Sequence, residues 1–536
     1  MENKSSVLRR FLPFSFGTVA ALPIAFSKIG IFEWVAFLPF AFLALTDNAA
    51  EEKNPKKRFF SEYLTALGFF FGFYTVLYSW FWEMYPLSVT GMPRIAAFFV
   101  ICLASLGIPL FQAIGFSLVF PIFKSIIRKG VSKPLLPLIM GALWAVCEWM
   151  QGFFWFGIPW VRVAMSQTNI PALVHSSNLF GSYFVTFLIL SVNFYIALAI
   201  KDKTYRKKQV YVFTAALIFL MNGFYGMLDI AVSKDKERET VRISALQGNI
   251  STEEKWNDDM LSETFRIYEE LTKEASGKGS EYVLFPETAI PYVSENVPNV
   301  DEYLRRLAKE NDVTLMVGTF VFLNGEVSNG IRIYEPGKEG VNVYYKQKPV
   351  PFGEYVPMRD IVMAVLPALG EINMLDRTIV PGKVSSIWNS GNACFGHLIC
   401  FDSIYDYIAR NSIINGAEVL MISTNDSWFG ASIGTRMHCM QASLRAVENG
   451  RSVVRAANTG ISAVINPEGK IENRLECGVS GILTTDVVLS NSLTLYTRVG
   501  NLFIYICIIF TIICLLYNKN GTKCRPLVLN DERTVF

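Results

Sequence analysis

Eight apolar runs constrain this chain more than any other feature, and they lie near residues 11 to 26, 29 to 45, 63 to 82, 95 to 120, 135 to 156, 182 to 200, 210 to 228 and 501 to 517. Most come close to the ~20 residues that a helix needs to cross a bilayer. Only 18% of the residues are charged and 51% are hydrophobic, against roughly 25% charged in an average soluble domain. Membrane spans are therefore expected. The first run is short, contains Pro13 and Pro23 and follows Arg9 and Arg10, as the apolar core of a signal peptide would. A second run begins almost at once and no small-residue cleavage site separates the two, so they read as an uncleaved hairpin.

Loop charge tests the count independently, because short cytoplasmic loops collect Lys and Arg. With alternating spans, one side holds Lys4, Arg9 and Arg10; Lys53, Lys56, Lys57 and Arg58; Lys124, Arg128, Lys129 and Lys133; Lys201, Lys203, Arg206, Lys207 and Lys208; and Lys519, Lys523, Arg525 and Arg533. The short loops of the other side hold Lys28, Arg94 and Arg162, which makes 20 against 3. Buried core helices of a soluble protein do not readily produce that asymmetry. Both termini are expected in the cytoplasm, with residues 1–234 carrying seven spans, 235–495 forming a domain on the far side, and 496–536 carrying the eighth span and a tail.

The segment from about 240 to 490 has a different texture. Short β-rich stretches such as VRISALQGN, EYVLFPE, TLMVGTFVFL, VNVYYKQ, ACFGHLIC, EVLMISTN and RSVVRAANTG alternate with helical patterns near 256 to 275, 301 to 311, 402 to 415 and 434 to 449. Alternating strands and helices predict a layered α/β fold, in which functional groups collect at strand ends. Three strand ends carry chemistry. Glu287 follows YVLF and a proline that limits strand continuation, which sets a proton-accepting carboxylate on a fixed turn. Lys346 closes VNVYYK before Pro349, Pro351 and Gly353 force an irregular path to Glu354, and its ammonium can stabilise an oxyanion. Cys400 ends ACFGHLIC, where a thiol becomes nucleophilic if a base or positive charge is near.

Each has an ordinary alternative: a small buried hydrophobe for Cys400, a solvated carboxylate for Glu287, an edge-blunting lysine for Lys346. The succession of three such motifs in one domain favours catalysis. Other classes fare less well. The net charge of +3 is too small to argue for nucleic acid. Nine cysteines show no CxxC pair or Cys/His ligand spacing, and the histidines are His175, His397 and His438, so no metal, no other cofactor and no dense disulfide framework is expected. Cys394, Cys439 and Cys477 would face an oxidising compartment. Within the fifth run Glu148, beside Cys147, is either a functional group or one paired inside the bundle.

FPETAIP, YKQKPVPFGEYVP and the cysteine of HLICFD resemble the Glu, Lys and Cys motifs of the nitrilase, or carbon–nitrogen hydrolase, superfamily, whose domains are α-β-β-α sandwiches. More narrowly, PFGEYVP, QGNISTEEKW, TNDSWFG and NTGISAVINPEG resemble the apolipoprotein N-acyltransferase family, which sets such a domain between the seventh and eighth of eight transmembrane helices. The resemblance covers nearly the whole chain. It implies that Glu287 is the general base, that Lys346 steadies the oxyanion, that Cys400 forms a thioester and that Glu354 is a further essential carboxylate. It also places Trp256 and Trp428 on loops near the site entrance, with core packing as the alternative for both. Where the family has Tyr then Glu after the cysteine, this chain has Phe401 and Asp402, which reaches one methylene less far. The implied reaction takes an acyl chain from a phospholipid donor and transfers it to the amine of a diacylglyceryl apolipoprotein at the bacterial inner membrane, in the periplasm. The rivals are a membrane-tethered amidase with water as second nucleophile and a non-catalytic scaffold or transporter.

Overall fold

The computed structural model describes residues 2–46, 52–153, 157–234, 239–255, 258–293, 299–365, 378–384 and 386–517. Helices occupy all eight apolar runs. Among the described residues, five segments are long and apolar enough to cross a membrane: Ser27–Leu45, Pro55–Leu77, Arg94–Arg128, Ser182–Lys201 and Tyr205–Ser233. The apolar helices Phe11–Ala25 and Leu502–Leu516 are shorter. Leu136–Met150 has 15 residues, about 22 Å at 1.5 Å per residue, less than the ~30 Å hydrocarbon core. The structure thus supports a bundle of apolar helices and leaves the count of eight spans coarser. Small residues let its helices approach closely. A Cβ on Gly17 would lie 1.9 Å from the Phe69 carbonyl and one on Gly72 2.2 Å from the Phe14 carbonyl, so only glycine fits where the helix Glu2–Ala25 meets Pro55–Leu77.

Two sheets make up the other domain. The first contains β1 (Thr240–Gln247), β2 (Tyr282–Leu284), β3 (Ile290–Val293), β4 (Thr314–Leu323), β5 (Glu326–Tyr334) and β6 (Asn342–Tyr345). The second contains β7 (Ile387–Asn389), β8 (Cys394–Ile399), β9 (Val419–Thr424), β10 (Ser452–Ala457), β11 (Ser462–Ile465) and β12 (Ile471–Leu475), after which β13 (Gly481–Val488) returns to flank β1. The order is β13-β1-β2-β4-β5-β6, with β3 against β4, and β12-β11-β10-β9-β8-β7. β1, β2 and β4 run parallel, as do β8, β9 and β10. β3, β5, β7, β11, β12 and β13 add to the strands read from the sequence. β5 arises from the Asn324-Gly325 turn, where φ is 54° and 85°, the left-handed pair that a two-residue hairpin requires.

The sheets face each other through Ile243, Leu284, Met316 and Ile331 on one side and Phe395, Val419, Met421 and Val454 on the other, all buried. Helices Leu261–Gly277 and Val300–Asn311 cover the outer face of the first sheet through Tyr268, Leu271, Leu304 and Leu307. Helices Asp406–Ile414 and Ile433–Asn449 cover the second through Ile408, Ile413, Met437 and Leu444. This is the expected α-β-β-α sandwich. Coverage on both faces explains why β9 and β10 are buried at every residue.

The second helix layer does not end at solvent. Its core is continuous with that of the bundle, joining Ile408, Met437 and Leu444 to Phe40, Phe69, Trp144 and Leu190. At the junction Phe429 packs against Trp80 and Trp160, with ring centroids 4.7 and 5.2 Å apart, and the Tyr405 hydroxyl donates to the Gly157 carbonyl at 2.6 Å. Arg162, counted from sequence as a loop charge, is 0% exposed. Its guanidinium donates to Asp406 at 2.7 Å and to Ser182 at 2.8 Å and lies 3.7 Å from Glu448, which also pairs with Arg445 at 2.8 Å. Tyr496 and Tyr183 hydroxyls complete the shell of Asp406. Glu148 is paired within the bundle, accepting from the Val163 amide at 2.9 Å, Thr186 at 2.8 Å and Trp144 at 3.2 Å.

Candidate active site

Glu287, Lys346 and Cys400 come from three strand ends that meet at one edge of the sandwich. Glu287 follows β2 after Phe285 and Pro286. Gly318 on β4 makes room for that turn, since a Cβ there would sit 2.1 Å from the Pro286 carbonyl. Lys346 follows β6. Cys400 follows β8 and opens a turn of 3-10 helix over Cys400–Ile404. Its φ is +47°, Thr288 beside Glu287 has +45°, and Asp426 after β9 has +58°. Such backbone is disfavoured for residues other than glycine and concentrates at functional sites.

The Lys346 ammonium donates to Glu287 Oε1 at 2.8 Å and lies 2.8 Å from Glu354 Oε2, so one cation serves two carboxylates. Asn329 Nδ2 bridges the same pair at 2.8 and 3.0 Å. The Asn425 amide donates to Glu287 Oε2 at 3.1 Å, and the Val350 amide to Glu354 Oε2 at 2.7 Å. Lys346 and Glu287 are buried; Cys400 is half-buried. Burial alone would raise the Glu287 carboxyl, but the charges of Lys346 and Lys255 and the bond from Asn329 outweigh it and hold it below the ordinary carboxylate range. Burial and the nearby Glu287 charge push the Cys400 thiol well above its usual value, against Lys346 and a hydrogen bond from Thr424. The resting pair is a carboxylate beside a protonated thiol, which is the state a general base and its nucleophile require.

The profile of the carbon–nitrogen hydrolases matches residues 242–493, and that of the apolipoprotein N-acyltransferase N-terminal domain matches residues 16–195. The apolipoprotein N-acyltransferase of Geobacter metallireducens is 28% identical over 503 residues, 92% of this chain and 92% of its own. Those of Haemophilus ducreyi and Haemophilus influenzae are 25% and 28% identical, over 95% and 89% of this chain and 97% and 90% of theirs. The chain belongs to the apolipoprotein N-acyltransferase family.

Within this acyltransferase-family chain, the structure gives the remaining sequence candidates distinct positions. Glu354 shares Lys346 with Glu287. Asp402, where the family motif carries glutamate, is 0% exposed and does not reach the ammonium of Lys346. It accepts from the amides of Lys348, Gln347 and Ile399 at 2.8, 3.1 and 3.1 Å and from the Tyr344 hydroxyl at 3.0 Å. Burial raises it to about 6, against the Lys346 charge and these bonds. Its work is to fasten the cysteine turn to the lysine strand end, a task for which the shorter side chain suffices. Phe401 is buried in the core beneath, its ring 5.6 Å from that of Tyr405. Trp428 is half-buried and packs against the bundle core, and Trp256 lies outside the described residues.

Several residues of the site were not singled out from the sequence, although Lys255 lies within the QGNISTEEKW stretch. Asn329 sits in mid-strand. Lys255 is buried and donates to the Glu287 carbonyl at 3.1 Å and to Thr288 Oγ1 at 2.6 Å. Burial lowers its ammonium to about 8, with Glu287 acting against the shift. The outer motifs are fasteners: Gln247 donates to the Glu476 and Val479 carbonyls at 2.8 Å each, and Asn458 Nδ2 to the Ile250 carbonyl at 2.7 Å.

Cys400, Asp426 and His438 bring ligand-type atoms within 4.8 Å of one another, an arrangement the sequence did not suggest. The donors do not suit a metal. The Arg455 guanidinium bonds Asp426 and lies 3.2 Å from His438 Nδ1, putting a fixed positive charge where a cation would sit. His397 is a core residue, lowered to about 3 by burial. Among the described residues Cys394, Cys400, Cys439 and Cys477 are unpaired thiols.

Proposed function

We propose that this enzyme moves an acyl chain from a membrane phospholipid to the N-terminal amine of a diacylglyceryl-cysteine, through a thioester on Cys400. The observation that carries this reading is the convergence of a half-buried thiol on a left-handed turn with a carboxylate held ionised by Lys346. In the first half-reaction Glu287 takes the thiol proton as sulfur bonds to the ester carbonyl carbon. Lys346 faces the developing oxyanion, a type of contact worth about 3 to 4 kcal/mol when well placed. Collapse breaks the ester C–O bond, and Glu287 returns the proton to the departing lysophospholipid. In the second, the acceptor amine bonds to the thioester carbonyl, Glu287 takes the amine proton, and the thiol is restored as the C–S bond breaks.

The match over residues 16–195 favours lipid-based transfer over the amidase alternative, which would use the same three residues with water. Holding both lipid substrates at one leaflet replaces a search through water with positioning. Incubated with phospholipid but no acceptor, the protein is expected to gain one acyl chain in intact mass, which hydroxylamine removes. A diacylglyceryl peptide should then collect that chain on its amine. Release mainly as free fatty acid would favour the hydrolase, and an unmodified mass while lysophospholipid accumulates would remove Cys400 from the chemistry.

The loop charges support a finer topology: eight spans in the bacterial inner membrane, both termini cytoplasmic, and the domain 235–495 in the periplasm between spans seven and eight. A periplasm-dependent reporter fused after Asp235 is expected to be active, and one fused after Lys208 silent. The opposite pattern would invert the arrangement.

A further inference from the structure

Beneath the Cys400 turn lies a buried polar cluster that the acyl-transfer chemistry does not use. His438, on the helix Ile433–Asn449, points at the backbone of that turn. Its Nε2 is 3.2 Å from the Cys400 carbonyl oxygen and 3.0 Å from Ser403 Oγ. The Ser403 hydroxyl donates to the same carbonyl at 2.7 Å. On the other edge of the ring, Nδ1 is 2.8 Å from Asp426 Oδ1. Asp426 accepts in turn from Thr424 at 2.8 Å and from the Arg455 guanidinium. His438, Ser403, Asp426, Thr424 and Arg455 are each at most 2% exposed.

These contacts run from Arg455 through Asp426 and the imidazole to one atom, the carbonyl oxygen of a residue whose φ of +47° is otherwise unfavourable. Fixing that oxygen fixes the peptide plane after Cys400, and with it the direction in which the thiol leaves the backbone. Burial would raise Asp426, but the charges of Arg455 and His438 outweigh it and hold the carboxylate well below its ordinary range. Asp426 Oδ1 and the Cys400 carbonyl are both acceptors, so the ring bridges them by donating from both nitrogens, Nδ1–H to the carboxylate and Nε2–H to the carbonyl. Helix Ile433–Asn449 contributes no group to the proton transfers proposed above, yet it carries the side chain that touches the nucleophile's own backbone.

We propose that His438, anchored by Asp426 and Arg455, is a positioning residue that holds the Cys400 carbonyl and so keeps the thiol aimed at Glu287 and Lys346. The proposal rests on Cys400 being the nucleophile of the acyl transfer. Two substitutions separate the edges of the ring. His438→Asn sets an amide nitrogen near the place of Nδ1, keeping the Asp426 bond but falling short of the Cys400 carbonyl. His438→Gln reaches the place of Nε2. In the full-length protein, His438→Asn is expected to slow both iodoacetamide alkylation of Cys400 without lipid and acylation by phospholipid by about tenfold, as for one lost buried hydrogen bond. His438→Gln should stay within about threefold of wild type, and the KM for phospholipid should hold in both. Equal behaviour of the two variants, both intact or both impaired, would overturn the proposal. Should His438→Asn fail to fold, Ser403→Ala, which removes one hydroxyl from the same carbonyl, should slow alkylation about threefold, and an unchanged rate would overturn it. Normal alkylation of a wild-type protein that never acylates would defeat the acyl-transfer reading alone.

Discussion

Replacing Glu287 with glutamine is expected to slow acyl-enzyme formation by roughly 10²- to 10⁴-fold, the usual contribution of a positioned general base. The amide keeps the shape and can still accept from Lys346, but it cannot take the proton that the thiol retains at rest. Because Cys400 is held as a protonated thiol by burial and by the Glu287 charge itself, proton removal must accompany attack. Removing that charge also removes one cause of the raised thiol, so direct alkylation of Cys400 should be no slower in the variant than in wild type. The two rates, intact-mass acylation and iodoacetamide labelling, are expected to part company. An acylation rate within a few-fold of wild type would mean that the base lies elsewhere.

The second large effect concerns the junction. Arg162→Met fills a similar volume but leaves Asp406 and Glu448 in a buried site with Arg445 as the remaining cation among the described residues of that network. Breaking a buried ion pair from one side typically costs about 3 to 5 kcal/mol, because the surviving charge has nowhere to be solvated. Asp406 carries much of that cost. Burial would raise its carboxyl, and Arg162 and Arg445 hold it down. The variant is expected to unfold at a clearly lower temperature in detergent, followed by tryptophan fluorescence, with Arg162→Lys intermediate since it keeps the charge and loses the planar fork. An unchanged midpoint in Arg162→Met would show that the network contributes nothing to stability.

What the sequence disclosed follows from the range of the forces involved. The strand Thr314–Leu323 was readable to the residue because its apolar run is continuous and bounded by polar turns. Glu287, Lys346 and Cys400 were readable because strand ends are where a layered fold exposes side chains, and because proline and glycine mark those ends locally. The Asn324-Gly325 turn was also there to be read, and it announces the hairpin that supplies Asn329. The partners that set proton affinities were not. Asn329 reaches Glu287 across 42 positions, and His438 reaches the Cys400 carbonyl across 38. Nothing near either residue distinguishes it from any other buried polar side chain. Arg162 illustrates the opposite error, since loop composition treats as solvated a guanidinium that tertiary contacts bury completely.

One consequence of the continuous core concerns the height at which chemistry happens. The helices that back the second sheet are themselves backed by the bundle, through one continuous apolar core. The Cys400 turn is thereby tied through packed side chains to the apolar helices. On the proposed function, selection among esters and amines becomes partly a matter of depth: a group is expected to react when its own lipid anchor suspends it at the level of the sulfur. A soluble ester of identical chemistry, unmoored from the bilayer, would meet the thiol only by diffusion. On that reading the bilayer would act as a ruler, and the fold would supply the mark against which each substrate is measured.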